Sequence, residues 1–181
     1  MERDQLTLRI RNLQKTYSGN VKAVRGIDVD VENQRIYALL GPNGAGKTTV
    51  LKSILGLVNY SGSVEVLGRP IDEVRERISF VPEEKNLYEN LDIESTLRLS
   101  SRISPRFNEK QARELIENYK LPYREKIRTF SNGMKTALYL AVALSTDADL
   151  YILDEPTWGL DPIMRDDTLE LIREKVILGK T

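Results

Sequence analysis

Two short stretches of the sequence carry residue types and spacings that could perform chemistry on a phosphate group. The first is GPNGAGKT at residues 41–48, which fits the pattern G-x-x-x-x-G-K-[ST]. Glycines let successive backbone N–H groups turn inward and bind an anion, and a helix that begins there adds partial positive charge. We expect Lys47 to reach the β- and γ-phosphates of a nucleotide and the Thr48 hydroxyl to bind Mg²⁺.

Each position of this loop is a candidate contact for bound phosphates, and Lys47 is also a candidate catalytic residue. A glycine-rich turn without a ligand is the alternative, but the apolar run before the loop and the helical pattern after it argue against that alternative. The candidate contacts are Gly41, Pro42, Asn43, Gly44, Ala45, Gly46, Lys47, Thr48 and Thr49.

The second stretch is an apolar run that ends in two acids, Asp154 and Glu155. Ligands of open parallel sheets bind at the carboxyl ends of the strands. We therefore expect these acids to lie where residues 41–48, the phosphate loop, also lie. Because two adjacent acids cannot both face the core, they can have different roles. We expect Asp154 to hold Mg²⁺ through water and Glu155 to polarise an attacking water molecule. The alternative is an acid pair in a turn that leads into a helix.

The composition narrows the chemistry that the chain can perform. Its 181 residues include no cysteine and no histidine, which excludes disulfides, thiol catalysis and imidazole acid–base chemistry. A carboxylate is therefore the natural general base. Lysine plus arginine total 27 and so do aspartate plus glutamate, so the net charge is zero. A nucleic-acid partner is not expected, because phosphate neutralisation requires a basic surplus.

No segment of the sequence has the pattern of a membrane span or a signal peptide. The longest apolar run is residues 137–144, whereas a membrane-spanning helix needs roughly 20 residues. The first residues, MERD, lack the apolar core of a signal peptide. We therefore expect a soluble, cytoplasmic chain.

The elements that must position these residues follow from hydrophobic periodicity. Alternation predicts strands at residues 6–11 and 27–32, and short apolar runs predict further strands that precede the phosphate loop and the acids. The alternation of strands and helices predicts an α/β fold with a parallel sheet. The expected later strands are residues 36–40, 63–67, 78–82 and 149–154, and the expected helices are residues 47–57, 108–119, 134–145 and 162–178.

A third motif lies between the two stretches and carries a family resemblance. Residues 130–135 read FSNGMK at the start of an apolar helix, and residues 159–162 read GLDP after the acids. With the phosphate loop, this order resembles the nucleotide-binding domain of ATP-binding cassette (ABC) proteins over almost the whole chain. The resemblance implies a P-loop NTPase fold with a RecA-like parallel core, an N-terminal antiparallel β subdomain and an inserted helical subdomain.

This resemblance also implies how the chain is divided. We expect one ABC ATPase domain over residues 1–181, in which residues 1–85 and 141–181 form the nucleotide-binding core with its β subdomain. Residues from about 86 to 140 would be the inserted helical subdomain, since they are charged, helical in pattern and interrupted by Pro105 and Pro122.

The resemblance assigns roles to four more residues. Ser131 and Gly133 would close over ATP bound to a second cassette in a head-to-tail dimer, and the alternative for Ser131 is a plain helix N-cap. Tyr17 would stack on the adenine, and the alternative is a tyrosine of the core or of a turn. Asp161 belongs to the loop after the acids and is expected near the bound nucleotide.

Three features depart from the family pattern. Glu83 stands where the family usually has a glutamine that senses Mg²⁺ and the attacking water, and it could still be a Mg²⁺ ligand and a catalytic residue. Residues 130–135 resemble the family's signature, usually L-S-G-G-Q, in which Asn132 and Met134 replace a glycine and the glutamine. The family continues with a strand and a histidine beyond Thr181, so we expect a cassette truncated before that histidine loop.

We therefore predict the ATP-binding subunit of an ABC transporter, which binds and hydrolyses Mg-ATP as a homodimer or heterodimer and drives a separate membrane permease. It would lie at the cytoplasmic face of the membrane. Two alternatives stay open. One is a binding-only or regulatory cassette with impaired turnover, and the other is a non-transport ABC ATPase that acts on ribosomes or DNA.

Overall fold

The computed structural model of the chain describes residues 6–181. It forms two compact units: one contains the residues up to Arg77 together with Val176–Thr181, and the other contains Ile78–Lys175. Antiparallel strands, a parallel strand pair and helices give the α/β composition that the sequence predicts.

The first unit contains a three-stranded antiparallel sheet in the order β2-β1-β3. Its strands are β1 (Leu6–Tyr17), β2 (Val21–Glu32) and β3 (Ser61–Val66). Ile10 of the central strand lies opposite Val29 on one side and Val64 on the other. The alternating apolar residues of β1 form the buried face of the sheet, as their period of two predicts.

Two helices complete the described part of this unit, α1 (Lys47–Ile54) and α2 (Ile71–Val74). Helix α1 begins directly after the phosphate loop and contacts β2. Its inner face buries Val50 and Ile54.

The predicted buried strand at residues 36–40 is wrong. These residues are extended but carry no strand pairing, and the side chains of Ile36 and Leu40 are 59% and 87% exposed. The physical reason is that a strand is defined by its neighbour, and no described strand hydrogen-bonds to this segment. Among residues 6–181, the parallel sheet is therefore smaller than the sequence predicts.

The second unit contains a parallel pair, β4 (Ile78–Val81) and β5 (Leu150–Leu153). Ile78 pairs with Leu150 and Val81 with Leu153, so the two strands end side by side. The carboxyl ends of both strands, where Glu83 and Asp154 follow, thus lie at one edge of the sheet.

Four helices lie wholly or mostly in this unit, and each begins at a side-chain cap. They are α3 (Ile93–Ile103), α4 (Glu109–Asn118), α5 (Asn132–Leu144) and α6 (Pro162–Ile177). Their caps accept hydrogen bonds from backbone N–H groups of the first turn, as short polar side chains do at N-cap positions. The four caps are Asp92, Asn108, Ser131 and Asp161.

Helix α5 forms the centre of the apolar core in this unit. Ala137, Leu138, Leu140 and Ala141 are fully buried, and the cluster extends to β4, α3 and α4. This helix begins at the signature residues, so core packing fixes the direction in which those residues lie.

Candidate functional site

The phosphate loop has the backbone that its glycines predict. Gly44 and Gly46 have φ angles of 81° and 91°, in the left-handed region that favours glycine. The amide of Ala45 donates to the carbonyl of Pro42 at 3.1 Å, which closes the turn before α1 begins. A β-carbon on Gly46 would lie 2.3 Å from the carbonyl oxygen of Ala23, so the loop packs directly on β2.

Lys47 folds back over this loop. Its Nζ atom donates hydrogen bonds to the carbonyl oxygens of Gly41 at 2.8 Å and Pro42 at 3.1 Å. Thr48 and Thr49 follow in the first turn of α1, both half-buried, and that turn contains no acidic residue. The arrangement combines an ammonium group with the positive end of a helix, which can attract an anion.

Tyr17 is the last residue of β1, in the same unit as the phosphate loop. Its side chain is 41% exposed, and the Nζ atom of Lys15 lies 4.8 Å from the ring centroid. The residue is thus not part of the core, and its ring is accessible for stacking. Its contact with an adenine stays a prediction.

The two acids after β5 occupy different environments. Asp154 is 8% exposed, its backbone amide donates to the carbonyl of Val81 at 2.8 Å, and its Oδ2 atom is buried without a hydrogen-bond partner among the described residues. Glu155 is exposed and has a φ angle of 49°. The burial of one acid and the exposure of the other agree with the expectation that the two cannot both face the core.

A lysine that sequence reasoning missed lies beside these acids. The Nζ atom of Lys85 donates to the carbonyl oxygens of Pro82 and Glu83, which folds the side chain back over the end of β4. Partial burial lowers the pKa of Lys85, while the nearby carboxylates of Asp154, Glu83 and Glu155 oppose that shift. No periodicity marks Lys85, because only the tertiary structure brings it to the acids.

The candidate metal ligands are divided between the two units. Thr48 lies in the unit with the phosphate loop, whereas Asp154 and Glu83 lie at adjacent strand ends of the other unit. No group of three or more acidic side chains within residues 6–181 is arranged to hold a metal ion. The buried, unpartnered Oδ2 atom of Asp154 nevertheless fits a cation, because Mg²⁺ in nucleotide sites takes only one or two carboxylates beside phosphate oxygens.

The signature residues form the start of α5. The Oγ atom of Ser131 accepts a hydrogen bond from the amide of Met134 at 3.2 Å, so the N-cap alternative describes its contact in the single chain. Gly133 lies against the loop that follows the acids: a β-carbon there would be 2.4 Å from the carbonyl oxygen of Gly159. The role of both residues toward ATP of a second cassette stays a prediction.

Asp161 ends the loop after the acids. Its Oδ1 atom accepts from the amide of Met164 at 2.9 Å, so Asp161 caps the helix that has Pro162 at its first position. The carboxylate remains exposed at the surface. Its contact with a nucleotide stays a prediction.

Comparisons with known proteins support the resemblance. The sequence model of the "ABC transporter" family matches residues 24–158. Nod factor export ATP-binding protein I of Cupriavidus pinatubonensis is 38% identical over 184 residues, which cover 96% of this chain and 56% of that protein. The linearmycin resistance ATP-binding protein LnrL of Bacillus subtilis is 35% identical over 96% of this chain and 59% of its own length.

Solved structures agree with these relatives. The structure of an ATP-binding subunit of an ABC transporter superposes with a TM-score of 0.87 at 29% identity, over 96% of this chain and 76% of that one. A Pyrococcus furiosus protein described as an ABC transporter ATP-binding protein gives a TM-score of 0.81 at 27% identity, over 96% and 87%. These neighbours confirm the predicted P-loop NTPase fold.

The chain spans little more than half the length of the curated relatives, since it covers 56% and 60% of the first two. None of the helices in residues 6–181 is both long enough and apolar enough to cross a membrane.

Proposed function

We propose, because this chain belongs to the ABC transporter family, that it binds and hydrolyses Mg-ATP and thereby drives a transporter. The observation that carries the proposal is the pair of acids at the end of β5: a buried Asp154 with an unpartnered oxygen beside an exposed Glu155. A cation ligand and a group that contacts water are the two functions that ATP hydrolysis requires at this position.

The phosphate loop would bind the nucleotide. Its backbone amides and the first turn of α1 would hold the phosphate oxygens, and Lys47 would exchange its bonds to the carbonyls of Gly41 and Pro42 for contacts with the β- and γ-phosphates. The loop residues, Gly41, Pro42, Asn43, Gly44, Ala45, Gly46, Lys47, Thr48 and Thr49, form the proposed binding set. Tyr17 would support the adenine by stacking.

Mg²⁺ would be held by Thr48, Asp154 and Glu83, with the buried Oδ2 atom of Asp154 as the clearest acceptor. When bound, the ion would neutralise charge on the phosphate oxygens. Lys85 would offset part of the negative charge that Glu83 adds, because its ammonium group lies close to all three acids.

Glu155 would act on the attacking water. Its exposed carboxylate would accept a proton from that water while the water attacks the γ-phosphate, and inorganic phosphate and ADP would leave. The buried Asp154 would serve as a cation ligand, whereas the exposed Glu155 can contact a water molecule.

Hydrolysis would take place in a dimer of two cassettes, identical or different. Ser131 and Gly133 would contact the ATP that the other cassette holds, and Asp161 would lie near the same junction. The amide groups at the start of α5 and the Ser131 hydroxyl can bind phosphate oxygens once the partner approaches.

For the domain plan we propose one ABC ATPase domain over residues 1–181, with residues 1–85 and 141–181 as the core and about 86–140 as the helical insertion. The loop after Glu83 and the helical insertion would contact an integral membrane permease. The chain would thus be peripheral, at the cytoplasmic face of the cell membrane.

Phosphate release measured on wild type, Lys47→Ala and Glu155→Gln tests the proposal. We expect Glu155→Gln to keep Mg-ATP binding and to lose on the order of 10²–10³ in kcat, and Lys47→Ala to lose both binding and turnover. Lys52→Ala, on the same helix, is the control and should retain activity. If the wild type releases phosphate no faster than Glu155→Gln while still binding Mg-ATP, the chain is a binding-only cassette and the hydrolysis proposal fails.

A second measurement tests the partner. We expect an integral membrane protein to co-purify with the chain from detergent-solubilised membranes. Co-purification with ribosomes in its place would contradict the transporter assignment.

A further inference from the structure

The loop between β5 and α6 begins at Glu155 in a strained conformation. A φ angle of 49° lies in the left-handed region, which is unfavourable for a residue with a side chain. Such a conformation persists only where the surrounding contacts determine it. The contacts that hold this loop therefore decide where the Glu155 carboxylate lies.

Within the loop, two short-range hydrogen bonds shape the backbone. The amide of Trp158 donates to the carbonyl of Glu155 at 3.3 Å, and the amide of Leu160 donates to that of Thr157 at 3.2 Å. Both bonds join residues three apart, so they form successive turns. They do not by themselves fix the loop to the rest of the unit.

Thr136 supplies the connection to the core. This residue of α5 is 1% exposed, and its Oγ1 atom donates to the carbonyl oxygen of Trp158 at 3.1 Å. Close packing of Gly133 against the carbonyl of Gly159 reinforces the same contact. The loop that starts at Glu155 is therefore held on the helix that starts at Ser131.

The contact differs from what helical threonines usually do. Their hydroxyls often donate to the carbonyl four residues earlier, and Thr96 of α3 does so here, to Asp92. Thr136 makes its bond to a different segment, 22 residues later in the chain. The hydroxyl of Thr136, in the most apolar helix of the unit, thus bonds to the loop and not to its own helix.

We propose that Thr136 is a positioning residue for Glu155, which it holds in place through the backbone of Trp158. The inference rests on the proposed role of Glu155 in hydrolysis. It assigns Thr136 no contact with ATP, Mg²⁺ or water. Loss of the hydroxyl would leave the carbonyl of Trp158 without this donor and would let the loop relax from its strained start.

The test compares three variants of the full chain. Thr136→Val keeps the shape and removes the hydroxyl, Thr136→Ser keeps the hydroxyl, and Thr96→Val removes a buried hydroxyl that bonds only within its own helix. We expect Thr136→Val to lower kcat on the order of tenfold, because a displacement of about 1 Å can cost up to a hundredfold. KM should change by less than about twofold, since ground-state binding is not affected. Thr136→Ser and Thr96→Val should keep the kcat of the wild type.

A spectroscopic readout is independent of hydrolysis. Trp158 is the only tryptophan of the chain, and its side chain is 60% exposed on this loop. We expect lower fluorescence anisotropy of Trp158 in Thr136→Val and unchanged anisotropy in Thr96→Val. If Thr136→Val does not fold, Thr136→Cys, with its weaker donor, should show the same changes to a smaller degree.

The outcomes separate this inference from the proposed function. An active wild type with unchanged kcat in Thr136→Val overturns the inference, and so does an equal loss of kcat in Thr96→Val, which would indicate a stability effect only. A wild type no faster than Glu155→Gln refutes the hydrolysis proposal, and with it the role of Thr136 in catalysis. The anisotropy then still reports whether Thr136 anchors the loop.

Discussion

The phosphate loop and the acidic strand end differ in how far along the chain their contacts reach. Lys47 donates to carbonyl oxygens five and six residues earlier, and the turn before α1 closes within the motif itself. The backbone amide of Asp154 instead donates to the carbonyl of Val81 on another strand, and the loop after Asp154 is held by Thr136 of α5. The first region is specified by consecutive residues, whereas the second exists only after its unit has folded.

One contact of the phosphate loop, with β2, is an exception to this contrast, and it gives the largest predicted effect on stability. Gly44 and Gly46 both have positive φ angles, but a β-carbon on Gly44 would meet no atom within 4 Å, whereas one on Gly46 would strike the carbonyl of Ala23 on β2. We expect Gly46→Ala to lower the free energy of unfolding by about 2–5 kcal/mol, from strain plus overpacking. Gly44→Ala should lower it by about 1–2 kcal/mol, from strain alone.

Urea denaturation followed by far-ultraviolet circular dichroism compares the two glycine variants. Equal losses of stability would mean that the loop is governed by local backbone conformation only, as the sequence motif suggests. A larger loss for Gly46→Ala would show that β2 constrains the loop.

A variant of the signature tests the second region, with an expected effect on stability of intermediate size. On sequence grounds Gly133 is needed for ATP, but the structure places the carbonyl of Gly159 where a β-carbon would lie. We expect Gly133→Ala to cost about 1–3 kcal/mol of stability without any nucleotide, although alanine is otherwise favoured over glycine in helices. Urea unfolding followed by Trp158 fluorescence measures this, with the exposed Asn132→Ala as control, expected within about 0.5 kcal/mol. If Gly133→Ala leaves the free energy of unfolding unchanged, the proposed contact with ATP is the only role that remains for Gly133.

The smallest predicted effect is an acid sensitivity of the second region. Hydrogen bonds donated by Ser95 and by Lys126, 34 residues later, hold the pKa of Asp92 well below its usual 3.8. The charged carboxylate of Asp92 therefore stabilises the fold at neutral pH. This stabilisation is lost as the pH falls below about 4 toward the lowered pKa. Asp92→Asn keeps an acceptor for the helix cap but carries no charge.

We expect the free energies of unfolding of wild type and Asp92→Asn to converge as the pH falls from about 4 to about 2. Chemical denaturation at a series of pH values measures both. A difference that stays constant over this range would show that the charge of Asp92 is not linked to folding.

Most elements of the fold could be predicted because their signals are local. Helix caps such as Asn108 and Asp161 satisfy nearby amides, so a few consecutive residues specify them. The prediction for residues 36–40 failed for the opposite reason: apolar character makes a strand possible, but a hydrogen-bonding neighbour makes it a strand.

The site was predicted unevenly for the same reason. Only tertiary contacts bring Lys85 to the acids and Thr136 to the loop that follows them, and no spacing in the sequence marks either residue. One feature of the sequence could have pointed to Thr136: it is a polar residue within the most apolar helix. Glu83 was found through the family resemblance, because it stands where the family usually has a glutamine that senses Mg²⁺.

The sequence by itself determined the chemistry of the phosphate loop, since glycines, lysine and hydroxyls are consecutive and their backbone conformations are a local property. It also determined that two acids end a strand. Only the tertiary structure decided that Asp154 is buried with an unpartnered oxygen while Glu155 is exposed and strained. The physical reason is that burial and anchoring depend on β4 and α5, which the chain brings to these acids only on folding.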